Sequence, residues 1–501
     1  MAPTTIRNSL CVAALGAALL IAGCGRQSGE LTRVGVIGEQ PKLVDTVTAP
    51  LTAGEALLRS NMAQGLVRFD ERGQVVPGLA ERWNVSDDGL SYIFRLQTGE
   101  WPDGRKIKAD EVAKILQRQL RLASKNPLKD TLGAVSEVLA MTDRVIEIRL
   151  SAPRPFLLQL LAQPEFGLVR ADVGTGPFQP AAPEEIAALA AEGEKSKGMF
   201  LTHRIRIPDA EDPVEKVEVR GGKAARLVQD FADGKIDLVV GGTVADLPIA
   251  MRAKVPRGTL RFDPSIGLFG LVPTKRSEFL QEVEVRRLLS RSIDRRALVN
   301  GLNVEGLVPR ATVLQAGLEG IPQLRQPMWQ DQPIGERRAA LVAEAQRLFG
   351  NAGRPTIRLA IPEGLGGDYL FGRLRYDWAY LGIAVERAPS AASADLVWLD
   401  EVAPSSSPAW FVRRFRCGVA AICLEDADLL LAEARATHDA RQRAAILLQV
   451  GRMMDDAQLF LPVAAPVRWS MVSGRVPGFV ENPFARHTLV GLSDPRLGAR
   501  S

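Results

Sequence analysis

Few side chains in these 501 residues are spaced for catalysis. The three histidines, His203, His438 and His487, stand far apart, and none lies in the HExxH or Cys/His patterns that hold zinc. Each reads as a surface or capped histidine, and no metal site is expected. Gly364, Gly366 and Gly367 share a loop, but without the Lys-Ser/Thr of a P-loop or the full glycine spacing of a dinucleotide fold, so they read as a flexible turn. No GxSxG elbow and no SxxK occurs, which removes the local signatures of serine hydrolases and penicillin-recognising enzymes. The chain therefore reads as a non-enzyme without a cofactor. What remains are pairs. Cys417 and Cys423 either bridge in an oxidising compartment or pack as two small hydrophobes, and spacing alone does not choose. Asp400 and Glu401 close an apolar run that contains Trp398, and two adjacent carboxylates there either meet a cation or face water. Trp378, Trp398, Trp410 and Phe411 either pack a core, the commoner role, or stack on a ligand.

The elements that must position these residues show strong local signals. Asp87-Asp88-Gly89 supplies turn chemistry, and Leu90, Tyr92, Phe94 and Leu96 alternate with more polar neighbours, predicting a β-hairpin. Pro102-Asp103-Gly104 marks another turn. After it, Val112, Ile115, Leu116 and Leu120 recur at helical spacing, with Asp110 and Glu111 near the positive end of the helix dipole. Strands at 34–38, 216–219 and 236–240 and a helix at 224–232 give a strand-helix-strand order and an α/β layer. Further helices are predicted at 184–191, 286–299 and 336–348, a strand at 357–361, and a long helical region at 426–454. Arg286, Arg287, Arg291, Arg295 and Arg296 crowd one helix. Glu282, Glu284 and Asp294 are interleaved with them and no aromatic platform accompanies them, so they read as a solvated, salt-bridged face. The formal charge of +5 likewise gives no nucleic-acid-like excess. At the N-terminus, Arg7 precedes an apolar run of about 13 residues ending Leu20-Ile21-Ala22-Gly23-Cys24, a secretory signal too short for the ~20 residues of a spanning helix.

Several stretches lie in an order that resembles family 5 of the bacterial extracellular solute-binding proteins, the peptide-binding components of ABC importers. They are the Trp101-Pro102-Asp103-Gly104 turn with its acidic helix start, Gly174-Thr175-Gly176-Pro177-Phe178, and Asp233-Gly234-Lys235-Ile236-Asp237-Leu238. Two more are Val285-Arg286-Arg287 through Ser292-Ile293-Asp294-Arg295-Arg296, and Leu459-Phe460-Leu461-Pro462-Val463. The end of the apolar leader resembles a lipobox, whose cysteine is acylated, with palmitate the expected lipid, and begins the mature protein.

The resemblance implies an α/β, two-lobed periplasmic binding protein fold of type II, with the extra subdomain of the large peptide-binding class and two crossover hinge segments. It implies a signal at 1–23, tether and start of the first lobe at 24–55, the extra subdomain at 56–170, and first lobe at 171–262. The second lobe follows at 263–469 and the return to the first at 470–501, with 472–479 crossing back. It implies capture of a peptide or similar small solute, delivered to an ABC permease and ATPase by a monomer anchored through lipid on Cys24 at the periplasmic side of the envelope. An alternative is a lipoprotein of the same fold that senses or assembles without transport. The family's ligand-facing acidic place falls on Glu401, or on Asp400 with a one-residue shift, beside Trp398 and Trp410. Two departures, Ala403-Pro404-Ser405-Ser406-Ser407-Pro408 where the family has Asp-Pro-Asp and the missing "N..YW" segment, imply a solute other than an ordinary peptide.

Overall fold

Seven strands build the sheet of the first lobe in the order Gln179–Pro180, Met199–Arg204, Val214–Gly222, Thr32–Ile37, Leu238–Thr243, Arg468–Val472, Leu260–Phe262. The structure, a computed structural model, describes residues 31–170, 173–191, 198–205, 212–350 and 355–498; the expected signal and Cys24 lie outside the described residues. Thr32–Ile37 is parallel to both its neighbours, with Val34 opposite Val219 on one side and Leu238 on the other. Parallel pairing requires a crossover, and the helix Ala224–Ala232 provides it, burying Leu227, Val228 and Phe231.

The second lobe is a five-stranded sheet, ordered Ala384–Arg387, Thr356–Ala360, Leu396–Val402, Gly267–Pro273, Leu461–Ala464. Phe269, Leu271, Leu359, Trp378, Leu396 and Trp398 share its core. The chain passes between the sheets twice, through residues 263–266 and 465–467. These crossings run side by side: Phe262 opposes Trp469 in one sheet, Phe269 opposes Ala464 in the other, and the Asp263 amide donates to the Arg468 carbonyl at 3.0 Å between them. The return thus lies ahead of the 472–479 segment expected to carry it. Pro466, which has no N–H to give a ladder, interrupts the apolar run that otherwise reads as one strand.

The extra subdomain is a four-stranded antiparallel sheet, Ala80–Val85, Ser91–Leu96, Val145–Leu150, Val135–Thr142, covered by the helix Ala109–Leu120. The predicted hairpin is present. Gly89 at φ +68° donates to the Ser86 carbonyl at 2.8 Å, and Tyr92, Phe94 and Leu96 are buried. At Gly176 a Cβ would lie 2.3 Å from the Met62 carbonyl carbon, so the GTGPF turn fits against the end of the helix Ala53–Met62 only with glycine there.

Two expected helices are broken. The 286–299 span is Val283–Ser292 followed by Arg295–Leu302, because Asp294 caps the second helix by accepting from the Ala297 amide at 3.0 Å. Likewise 426–454 is Glu425–Ala436 and Ala440–Asp456, with Asp439 capping the second onto the Gln442 amide at 2.7 Å. The arginines of the first pair are not one solvated face. Arg286 and Arg295 are buried and donate to main-chain carbonyls of neighbouring segments.

Candidate ligand-binding cleft

A cleft of about 710 Å³ opens where the two sheets and the subdomain meet. The first lobe contributes Thr243 and Trp469, the subdomain Arg154 and Phe156, and the second lobe the end of the strand Leu396–Val402 with the helix Pro408–Arg413. Polar contacts draw the subdomain onto the second lobe across one side. Gln163 Nε2 donates to the Pro404 carbonyl at 2.7 Å, the Ser406 amide to Gln159 Oε1 at 3.1 Å, and Arg413 Nη2 to the Asp130 carbonyl at 3.0 Å. On another side of the seam the Gly366 amide donates to the Ala245 carbonyl at 2.9 Å, and a Cβ on Gly366 would fall 1.7 Å from the Val244 carbonyl oxygen. The glycines read as a flexible turn are instead the N-cap (Gly364) and first turn of the helix Leu365–Ala379, pressed tightly against the other lobe.

Asp400, Glu401 and Trp410 all line the cleft. Each carboxylate already has an arginine. Arg468 reaches from the other sheet, with Nη1 2.7 Å from Asp400 Oδ1 and Nη2 3.1 Å from the Asp400 carbonyl, so this pair bridges the lobes beside the crossing. Burial pushes the Asp400 carboxyl up, and Arg468 pulls it back in part. Arg414 holds Glu401 at both oxygens, its Nε 3.0 Å from Oε2. Trp410 meets Phe411 edge-on at 5.0 Å. Trp398 is not brought to the cleft. It is buried in the second-lobe core, perpendicular to Phe269 at 4.7 Å. Phe411 and Trp378 are core residues as well.

Cys417 and Cys423 are joined, with Cα atoms 5.1 Å apart, and close the loop that follows Arg413, Arg414 and Arg416. His203 and His487 are less exposed than expected: His203 is buried against Glu215 at 2.9 Å and His487 half-buried against Asp263 at 3.3 Å. His438 is exposed. Among the described residues no group of three or more His, Cys, Asp or Glu could hold a metal ion, and no helix is long and apolar enough to cross a membrane. Sequence reasoning missed the cleft's most numerous charged group, eight arginines, among them Arg154, Arg413, Arg435 and Arg443. The run Arg413-Arg414-Phe415-Arg416, with no acid inside it, was the available signal.

Two lobes joined by paired crossings, with a cleft at the seam, are the architecture of a two-lobed binding protein. The chain belongs to the bacterial extracellular solute-binding proteins of family 5: the pattern described as "Bacterial extracellular solute-binding proteins, family 5 Middle" matches residues 74–356. Members of that family are transport binding proteins rather than enzymes. The chain is 24% identical to the probable di/tripeptide-binding protein 5 of Pseudomonas aeruginosa over 84% of its own length and 88% of that protein. A match at 31% identity to the probable deoxycholate-binding periplasmic protein YgiS of Escherichia coli spans only 24% of that protein. The fold resembles that of Haemophilus influenzae OppA in complex with RPPGFSPFR, with a TM-score of 0.77 at 15% identity, covering 92% of this chain and 99% of that one.

Proposed function

We propose that this protein captures a peptide or comparable small solute between its lobes and presents it to an ABC permease and its ATPase. It works as a monomer on the periplasmic side of the envelope, tethered through lipid on Cys24. The supporting observation is the cleft, whose walls come from both sheets and the subdomain and therefore change together when the lobes move. The relative and the structure named for peptides support that solute class. In this reading the first lobe takes 171–262 with 468–501 and the start of the chain up to residue 55, 56–170 form the subdomain and 263–467 the second lobe with the crossings, the strand Arg468–Val472 of the first-lobe sheet moving the expected boundary from 470 to 468. Asp400 and Glu401 at the end of their strand and Trp410 on the helix Pro408–Arg413 face the solute's side of the cleft, and Trp398 supports that strand from behind.

Native mass spectrometry of freshly purified protein is expected to show a co-purified solute. Small-angle scattering should show a smaller radius of gyration with solute than after its removal by unfolding and refolding. An unchanged radius at saturation counts against capture by closure. For the tether, intact-mass spectra are expected to show lipid on Cys24 that Cys24→Ser lacks; an unmodified mature Cys24 rejects it.

A further inference from the structure

The charges of the cleft do not balance. Four of its carboxylates are satisfied within the protein: Asp400 by Arg468, Glu401 by Arg414, Glu165 by Arg486 at 3.2 Å and Asp263 by His487 at 3.3 Å. That leaves Arg154, Arg413, Arg416, Arg435 and Arg443 in the lining, none ion-paired among the described residues, against the carboxylates Asp130 and Glu319. Among the described residues the cleft lining has no lysine.

The side-chain bonds of these arginines are few. Arg154 gives one N–H to its neighbour's carbonyl, Pro153 O, at 2.8 Å. Arg443 gives Nη1 to the Thr437 and His438 carbonyls at 3.0 and 3.3 Å. Arg413 gives Nη2 to the Asp130 carbonyl, while its buried Nε has no hydrogen-bond partner. A guanidinium offers five N–H donors, so most of this capacity is unspent. The groups also sit close enough to repel one another. Burial, then Arg435, Arg416 and Arg154, lowers Arg413 to about 10, with Asp130 offsetting in part. Burial, then Arg435 and Arg443, lowers Arg154 to about 10. Glu319 is held up by burial and eased down by Arg443. Mutual repulsion among like charges, combined with an unmade donor in a half-dry site, is relieved by an anion.

We infer that the cleft selects a small solute bearing two or more negative charges, carboxylate or phosphate, gripped by Arg413, Arg435 and Arg443 of the second lobe and Arg154 of the subdomain. The inference rests on the reading of the protein as a solute binder and names the chemical class. Because the arginines come from opposite walls, the anion also links those walls. Asp400 and Glu401, already paired, serve to hold Arg468 and Arg414 in place and do not anchor a ligand ammonium.

The test uses the full mature protein, freed of co-purified solute, titrated calorimetrically with N-acetyl-triglutamate, citrate, glucose 6-phosphate, trialanine and trilysine. At least one acidic probe is expected to bind, the choice of probe separating a peptide carboxylate, a free polycarboxylate and a phosphate. The Arg413→Gln/Arg443→Gln pair should weaken it roughly 30-fold or more, and Arg413→Lys by only about 3- to 10-fold, since charge survives without the planar fork. The solute that co-purifies, released by acid and read as negative ions, should carry two or more acid groups. A neutral or cationic co-purified solute whose affinity the Arg413→Gln/Arg443→Gln pair leaves unchanged overturns the inference and leaves the solute-binding reading standing. So does tight binding of trilysine or trialanine alone. No co-purified solute, no binding by any probe and no compaction overturns both.

Discussion

Burial depresses arginines in two regions of this molecule, Arg286 and Arg295 in the core and the half-buried Arg154 and Arg413 at the cleft wall, yet their bonding differs. Between the helices Val283–Ser292 and Arg295–Leu302, Arg286 donates to the carbonyls of Leu280, Gln281, Ala457 and Gln458. Arg295 donates to Ser290 O and Oγ, Arg310 O and Pro462 O at 2.6–3.1 Å. Burial lowers Arg295 to about 9, further than Arg413 or Arg154 in the cleft. A depressed guanidinium is therefore no mark of a functional site by itself. Donor use separates these two pairs: Arg286 and Arg295 tie several segments together through their carbonyls, whereas Arg154 and Arg413 each make one side-chain bond.

The largest expected effect is in the core. Arg295→Met should cost about 3–5 kcal/mol in urea unfolding, because its carbonyl acceptors lose a charged donor in a dry site. A cost under about 1 kcal/mol would break the distinction. Next comes the loop carrying the cleft arginines. The double variant Cys417→Ser/Cys423→Ser, which leaves a short loop open in the unfolded chain, should lose about 2 kcal/mol on the chain-entropy argument. It should also weaken solute binding, whereas a purely structural bridge would leave affinity alone.

A third test is acid–base. Burial raises Asp455, next to the core arginine Arg310, from its ordinary value to about 7, although it accepts from the Val313 amide at 2.7 Å and feels Arg310. Its folded pKa exceeds its unfolded one, so between about pH 4 and pH 7 the folded state holds a proton that the unfolded state releases, and stability falls as pH rises through that window. Asp455→Asn should flatten that slope and gain on the order of 1–2 kcal/mol at pH 8, checked by unfolding at pH 5, 6.5 and 8. The smallest effect on stability is expected for Arg413→Met in the cleft, a change of about 0–1 kcal/mol in either direction, since it removes repulsion along with one hydrogen bond. A loss as large as that of Arg295→Met would place Arg413 with the core set.

Local chemistry made parts of the fold readable. The Asp87-Asp88-Gly89 turn, the helix Ala224–Ala232 and the strands around it follow from neighbours within a few residues. The breaks at Asp294 and Asp439 were missed because a capping aspartate inside a helical pattern looks like one more surface acid. The site was legible only in part. Asp400, Glu401 and Trp410 reach the cleft, but Arg468, which claims Asp400, lies 68 residues away and joins it only through sheet packing. The arginines were read in the wrong place: the run on 286–296 drew attention as a charged face, while the cleft cations are spread from Arg154 to Arg443 and converge only in the fold.

Gly366 bears on how tightly the protein holds any solute at all. With its amide on Ala245 and no room for a Cβ beside Val244, that residue permits the two lobes to seat against each other. A side chain there would act as a wedge in the jaw, lowering the fraction of molecules able to shut, and apparent affinity falls in proportion to that fraction. Such a change would dull every solute equally and leave the ranking among them untouched, so grip and taste are set in this molecule at separate addresses.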